Sequence, residues 1–364
     1  MTIPLFIGTY SVRGSQGLYG SLFDLESGHL DPPRPLLPPH TLFNPTYQTV
    51  WNDRLYTTGD AGPTSTPPNE GRIVLFRIQP EDGSLERVAE HSCGPGSPCH
   101  VVIFDGGRRL AAAHYKSGEL YLFRLDAQGR PLLETIFRYP GRGPVPSRQD
   151  ASHFHAAAAS PDRCWLVATD LGQDALFVFR IQADRLAFER RIPCPAGSGP
   201  RHLVFSFDSR WLWVTGELDG SVLAFRQEAD SLALIGRWSV RPEAYTGNCY
   251  PAEIRLHPNG STLFVSTRGA DEIVVCHAAS DGRLEIRHRI ATVAWPRGMI
   301  LSPDGRYLLA ASQHQDEIAV YAIGSEGALD LRHRIGGVPS PVSFAFASTG
   351  SEVITGTDRP IRGQ

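Results

Sequence analysis

At 364 residues, with 41% hydrophobic and 20% charged side chains, the chain has an ordinary globular composition, and 36 glycines and 29 prolines supply many turns. Its formal net charge of −3 argues against nucleic acid or an anionic membrane surface as a partner, since both select basic proteins. No apolar stretch reaches the roughly 18 residues that a membrane-spanning helix needs.

The opening MTIPLFIGTY has no basic leader and reads as a strand, not a signal peptide. From Asn44 onward one unit recurs: a short apolar run, a turn, a second run of β-formers, and a third. Its first run appears as NPTYQTVWND from Asn44, HVVIFDGG from His100, HAAAASPD from His155 and HLVFSFDS from His202. AEIRLHPNG from Ala252, GMILSPDG from Gly298 and VSFAFASTG from Val342 continue the series. The second run follows as LYTTGD, LAAAHY, WLVATDLG, WLWVTGEL, TLFVSTRG, YLLAASQ and VITGTD, and the third as IVLFRI, LYLFRL, LFVFRI, VLAFRQ, IVVCHA and IAVYAI.

Short strands separated by turn residues make antiparallel meanders. Repeated seven times at roughly 50-residue spacing, they specify an all-β, seven-bladed β-propeller of four-stranded blades, with residues 1–364 forming a single domain. The last copy ends near Asp358 with no room for outer strands. LFIGTY and GLYGSLFDL at the N-terminus are therefore expected to complete that blade and close the ring, removing exposed sheet edges. Irregular insertions fall at Asp60 to Gly71, Tyr139 to Ser152 and Ser239 to Pro251. The first reads as a surface loop, whereas the other two precede first strands and should shape a pocket. Six cysteines (Cys93, Cys99, Cys164, Cys194, Cys249 and Cys276) lack CxxC pairing, which reads as reduced thiols in a cytoplasmic protein.

In a propeller the first strand of each blade lines the central channel, so its start and the end of the second strand ring one mouth. Arg201 and Glu217 should meet there. Blade three adds His153, His155 and Asp170, and blade four adds His202. Blade five contributes Asn248, Glu253 and Arg268, blade six Arg297 and Gln313, and blade two His100 and His114. Polar mouths also serve to satisfy strand ends. Two arginines, a histidine and a glutamate from adjacent blades go beyond that, so His155, Arg201, Glu217 and Arg268 form the candidate catalytic group. His153, Asp170, His202, Asn248, Glu253, Arg297 and Gln313 are the candidate substrate contacts.

Arginine holds carboxylate or phosphate bidentately, while Glu and His exchange protons with water or a carbon acid. There is no HExxH, GxSxG, P-loop or zinc-type spacing, so neither a metal, a covalent serine nor another cofactor is expected.

HFHAAAASPD, TDLGQD, GPRHLVF, GELDGSV, STRGADEI, PRGMILSPDG and AASQHQDEIAVY, with IGTY near the N-terminus, resemble in order the seven-bladed 6-phosphogluconolactonase family, which is related to fungal carboxy-cis,cis-muconate lactonizing enzymes. The muconate-cyclase branch implies a catalytic group of one histidine, two arginines and one glutamate, falling on His155, Arg201, Arg268 and Glu217, with His153 the reserve for His155. His114 and Gly216 depart from the family pattern, where Asn is common. The resemblance implies a metal-independent lactonase acting on a small anionic lactone such as 6-phosphogluconolactone; a monomer or weak homo-oligomer is expected. Its rivals are a carboxymuconate-cyclising enzyme and a non-catalytic propeller used as a binding platform.

Overall fold

One turn, repeated in three blades, shows how the sequence repeat becomes a structural one. In Ser160-Pro161-Asp162, Ser206-Phe207-Asp208 and Ser302-Pro303-Asp304 the serine hydroxyl donates to the aspartate, at 2.5, 2.6 and 2.6 Å. The same hydroxyl accepts the first N–H of the returning strand, from Trp165, Trp211 or Tyr307, each at 2.9 Å. Local side-chain bonds of this kind favour turns over continued strand. Each SPD or SFD therefore folds the first run back on the second.

The computed structural model describes residues 1–79, 82–229 and 231–348. Among these the strands form seven four-stranded sheets, and the inner strands follow one another in a closed cycle. In blade order the inner strands are Gln48–Trp51, His100–Phe104, Phe154–Ala159, Pro200–Phe205, Tyr250–Leu256, Pro296–Leu301 and Pro341–Phe346. The only helical turns described are two short 3₁₀ segments, Leu171–Gln173 and Ser325–Gly327. No helix among the described residues is long and apolar enough to cross a membrane.

Blade seven closes differently from the expectation for its second strand. Thr2–Thr9 pairs directly with Pro341–Phe346, followed outward by Tyr19–Asp24 and Arg34–Pro35. The N-terminus thus supplies three of the four strands, and VITGTD lies outside the described residues. These three N-terminal strands complete a sheet whose inner strand lies some 340 residues later, so the ring has no free inner edge.

Seven apolar clusters fill the seven gaps between neighbouring blades, which is why no blade could bury both faces alone. In the gap between blades four and five Trp213 is fully buried, and its indole N–H donates to Gly282 O at 3.2 Å. The second strands end at the rim where the inner strands begin. The Asp60 to Gly71 segment leaves from the same rim as the two insertions assigned to it, and residues 63–64 and 66–69 are exposed, in keeping with a surface loop.

Candidate active site

Irregular register at the start of the inner strands sets the site. The ladder to the second strand skips between Phe154 and Ala156, Pro200 and Leu203, Pro251 and Ile254, and Pro296 and Gly298. The residues passed over include His155, Arg201, His202, Glu253 and Arg297. A bulge leaves residues unpaired and re-aims their side chains, which here delivers ionisable groups to the channel mouth. Hydroxyls of the second strands take up the freed amides. Thr169 Oγ1 accepts from Ala156 N at 3.1 Å, Thr215 Oγ1 from His202 N at 2.9 Å, and Ser266 Oγ from Glu253 N at 3.0 Å.

At the centre is Glu217, whose side chain is 5% exposed. Its Oε2 lies 2.8 Å from both Arg201 Nε and Arg268 Nη2, and its Oε1 lies 2.5 Å from Arg148 Nη2. The contacts to Oε2 are close ion pairs with poor hydrogen-bond alignment, and Oε2 is the acceptor that Arg201 Nε and Arg268 Nη2 share. Burial pushes the Glu217 pKa up, but Arg268, Arg201 and Arg148 outweigh it and hold the carboxyl well below the usual range. Burial, with Arg268 and Arg297 nearby, pulls Arg201 down to about 9, still a cation at neutral pH. Arg201 is anchored across blades by donating to Ala252 O at 2.7 Å, and Arg268 lies over the Trp295 ring at 5.8 Å.

His155 faces this group from blade three. Its Nδ1 is buried without a partner, and burial followed by Arg201 drives its pKa well below that of a free imidazole. It is therefore neutral, a hydrogen-bonding group and not a fourth cation. Its ring meets His202 at 5.3 Å and Tyr115 at 5.8 Å.

A second layer crosses the channel beneath. His202 Nδ1–H donates to Glu253 Oε1 at 3.1 Å, Arg255 pairs with the same oxygen at 2.9 Å, and Arg255 also reaches Tyr47 Oη at 3.3 Å. His100 stacks on Tyr47 with ring centres 4.2 Å apart. Burial lowers His202 to about 4, whereas Glu253 is lowered to about 2 because Arg255 and His202 overcome its burial. Below this layer a cavity of about 130 Å³ continues down the channel between apolar walls such as Val102, Leu256 and Phe344.

With this geometry established, the family described as "Lactonase, 7-bladed beta-propeller" matches residues 4–346. The chain belongs to that lactonase family. It is accordingly an enzyme of the lactonase, or carboxylic ester hydrolase, class. Among its relatives, the 6-phosphogluconolactonase of Bacillus subtilis is 29% identical over 304 residues, which cover 81% of this chain and 84% of that one. The structure of a periplasmic gluconolactonase from Pseudomonas aeruginosa superimposes with a TM-score of 0.86 at 29% identity, covering 96% of this chain and 99% of that one. A Lactobacillus plantarum protein does so with a TM-score of 0.88 at 28% identity, covering 96% and 100%.

The lactonase mouth gathers His155, Arg201, Glu217, Arg268 and, in the second layer, His202 and Glu253. Arg297 is half-buried over the Tyr10 ring at 5.2 Å. Two residues assigned to substrate, His153 and Asp170, hold other partners, as does His114 of the rim. His153 stacks on Tyr115, with Nδ1 2.8 Å from Tyr115 O and Nε2 3.1 Å from Asp150 Oδ1, so both ring nitrogens are occupied. Asp170 accepts from Ser152 Oγ, His153 N, Gly172 N and Gln173 Nε2, which makes it the cap of the turn after its strand. His114 bonds Gly96 O at 2.6 Å. Asn248 is exposed on the loop before blade five, and Gln313 is half-buried with an unpartnered Oε1.

Four residues of the mouth went unread in the sequence: Arg148, Tyr115, Tyr47 and Arg255. The Tyr139 to Ser152 insertion was a signal for Arg148, and an arginine inside the otherwise apolar AEIRL run was one for Arg255. Among the described residues no three His, Cys, Asp or Glu side chains gather as a metal-ligand set.

Proposed function

We propose that the protein hydrolyses an anionic sugar lactone, 6-phosphogluconolactone being the substrate that fits best, without a metal ion. One observation carries this reading: a buried carboxylate held by three guanidiniums, two of which are themselves almost fully buried at the channel mouth. Donors preset in a dry site are suited to a developing oxyanion, because they need no reorganisation as charge appears. Glu217 takes a proton from water as its oxygen attacks the lactone carbonyl carbon. Arg201 and Arg268 hold the resulting oxyanion, and His155 orients the water as a neutral imidazole. The bond from the carbonyl carbon to the ring oxygen then breaks, the ring oxygen takes the proton back from Glu217, and the product acid ionises. Six cysteines, all unpaired, fit a cytoplasmic setting for this activity.

The test is loss of 6-phosphogluconolactone by purified protein in EDTA, corrected for spontaneous hydrolysis, beside Arg201→Ala and Glu217→Gln. Chelator-resistant turnover that both variants lose is the expected result. No rate above background would overturn the reading, and ultraviolet-detected consumption of a carboxymuconate would then point to cyclisation by the same groups.

A further inference from the structure

The two oxygens of Glu217 are held in different ways. Oε2 is gripped by Arg201 and Arg268, which come from strand ends and are 3% and 6% exposed, whereas Oε1 is met by Arg148, which comes from a loop and is 36% exposed. We propose that Arg148 is the specificity-determining residue of the mouth: its guanidinium caps Glu217 Oε1 in the free protein and shifts to the phosphate of the bound sugar lactone, uncapping that oxygen to act as base. This rests on the lactonase reading of the site and names the part of the substrate that Arg148 recognises.

The loop around Arg148 allows the side chain to move without its root. Gln149 is fully buried, donating to Leu171 O and Asp174 Oδ1 at 2.8 Å each and accepting from Val145 N at 3.0 Å. The amide of Arg148 itself donates to Val145 O at 2.9 Å. Beyond that fixed turn the side chain extends to Glu217, with the Tyr115 hydroxyl near enough to act on its charge. Tyr115 is in turn fixed by its parallel stack on His153, at 4.4 Å and 6°. The arginine thus has an anchored base beside an anchored neutral ring, and only its ion pair must be exchanged.

The exchange has a chemical consequence. A carboxylate facing three cations binds a proton poorly and is a weak general base. Withdrawing one cation, and that the one whose side chain is exposed, returns basicity to Glu217 only when a competing anion is present. A phosphate dianion suits this role because a guanidinium can engage two of its oxygens at once. An unphosphorylated lactone offers no such exchange, so Arg148 discriminates between the two substrates.

Arg148→Ala and Arg148→Lys are to be compared with wild type on 6-phosphogluconolactone and on glucono-lactone, with the Glu217 carboxyl titration followed by ¹³C NMR. In Arg148→Ala we expect kcat/KM to fall at least tenfold more for the phosphorylated lactone than for the other, and the Glu217 titration to move to higher pH. Arg148→Lys should recover part of the discrimination, since it keeps the charge. Equal losses on both substrates, or an unmoved Glu217 titration, would overturn the proposal while leaving the lactonase reading standing. Should wild type turn over neither lactone, the lactonase reading fails, and calorimetric binding of 6-phosphogluconate and gluconate decides about Arg148. A phosphate-selective loss of affinity in Arg148→Ala then supports it, whereas an equal loss, or no binding of 6-phosphogluconate by wild type, overturns it.

Discussion

Thr215 Oγ1 accepts the amide N–H of His202 at 2.9 Å, across a bulge that the backbone ladder of blade four leaves open. The same hydroxyl donates to His202 O at 3.3 Å, and the pair of bonds helps hold the register in which Arg201 faces Glu217. Thr215→Val keeps the shape and leaves a buried N–H without an acceptor, at a cost of about 1–3 kcal/mol. Urea denaturation should show this loss, and kcat should fall with it because Arg201 shifts against the carboxylate. Thr215→Ser should restore both. Wild-type stability in the valine variant would rule out the hydroxyl as the strut of the bulge.

Much of this arrangement was legible in the sequence, and its limits have physical causes. Arg201 and Glu217 could be placed at one rim because an antiparallel hairpin brings the start of one strand to the end of the next. Strand alternation alone puts Arg201 and His202 on opposite faces. The bulge redirects both, and no residue pattern in GPRHLVF announces it. His153 stood as the reserve for His155 and Asp170 as a substrate contact, but hydrogen bonds to Tyr115, Asp150 and the turn after Asp170 occupy them. Arg148 depends on the path of a loop, which period and propensity do not describe. In blade seven both VITGTD and PLFIGTY read as strands, and only long-range pairing shows that Thr2–Thr9 sits beside Pro341–Phe346.

Removing the charge of Glu217 should alter the response to anions as well as activity. Glu217→Gln leaves Arg201 and Arg268 buried with no counter-charge, and breaking a buried pair from one side costs about 3–5 kcal/mol. The variant should melt below wild type in chloride-poor buffer. Phosphate should raise its Tm more than it raises that of wild type, since the anion replaces the lost carboxylate. Equal phosphate shifts in the two proteins would contradict this account of the cluster.

Acid should weaken the fold in two stages. His100 and His155 lie well below 6.5 and His202 at about 4, all mainly through burial, so the unfolded chain binds protons that the folded one excludes. Stability therefore rises with pH, and it is lost as pH falls from about 6.5 towards 4. Glu253, lowered from 4.5 to about 2, adds a further loss between those values. Urea midpoints measured from pH 8 to 4 should decline, and less steeply in His202→Gln. A pH-independent midpoint over this range would show that these imidazoles stay accessible to protons.

The two kinetic profiles should also separate. In the free protein three guanidiniums hold Glu217 well below the usual carboxylate range, so the acidic limb of kcat/KM lies at low pH. When Arg148 leaves for the substrate, the limb in kcat lies higher. Coincident limbs in wild type, unchanged in Arg148→Ala, would mean that Glu217 keeps all three partners during turnover.

The ring closes at Gly8 of IGTY, which pairs with Ser343 where blade seven meets its N-terminal strand. A Cβ there would stand 1.8 Å from Gln48 Nε2, 2.1 Å from Pro45 O and 2.5 Å from Ser343 Oγ. Gln48 could swing aside, but the Pro45 carbonyl is backbone, and Gln48 Nε2 already donates to it at 2.8 Å. Gly8→Ala must therefore push blade seven away from blade one at the seam that joins the two ends of the chain. Overpacking of this kind costs about 1–3 kcal/mol. The loss should appear as a lower urea midpoint and as earlier amide exchange in Thr2–Thr9 than in the inner strand of blade four. Uniform exchange across the ring would show that the seam is no weaker than the other blade contacts.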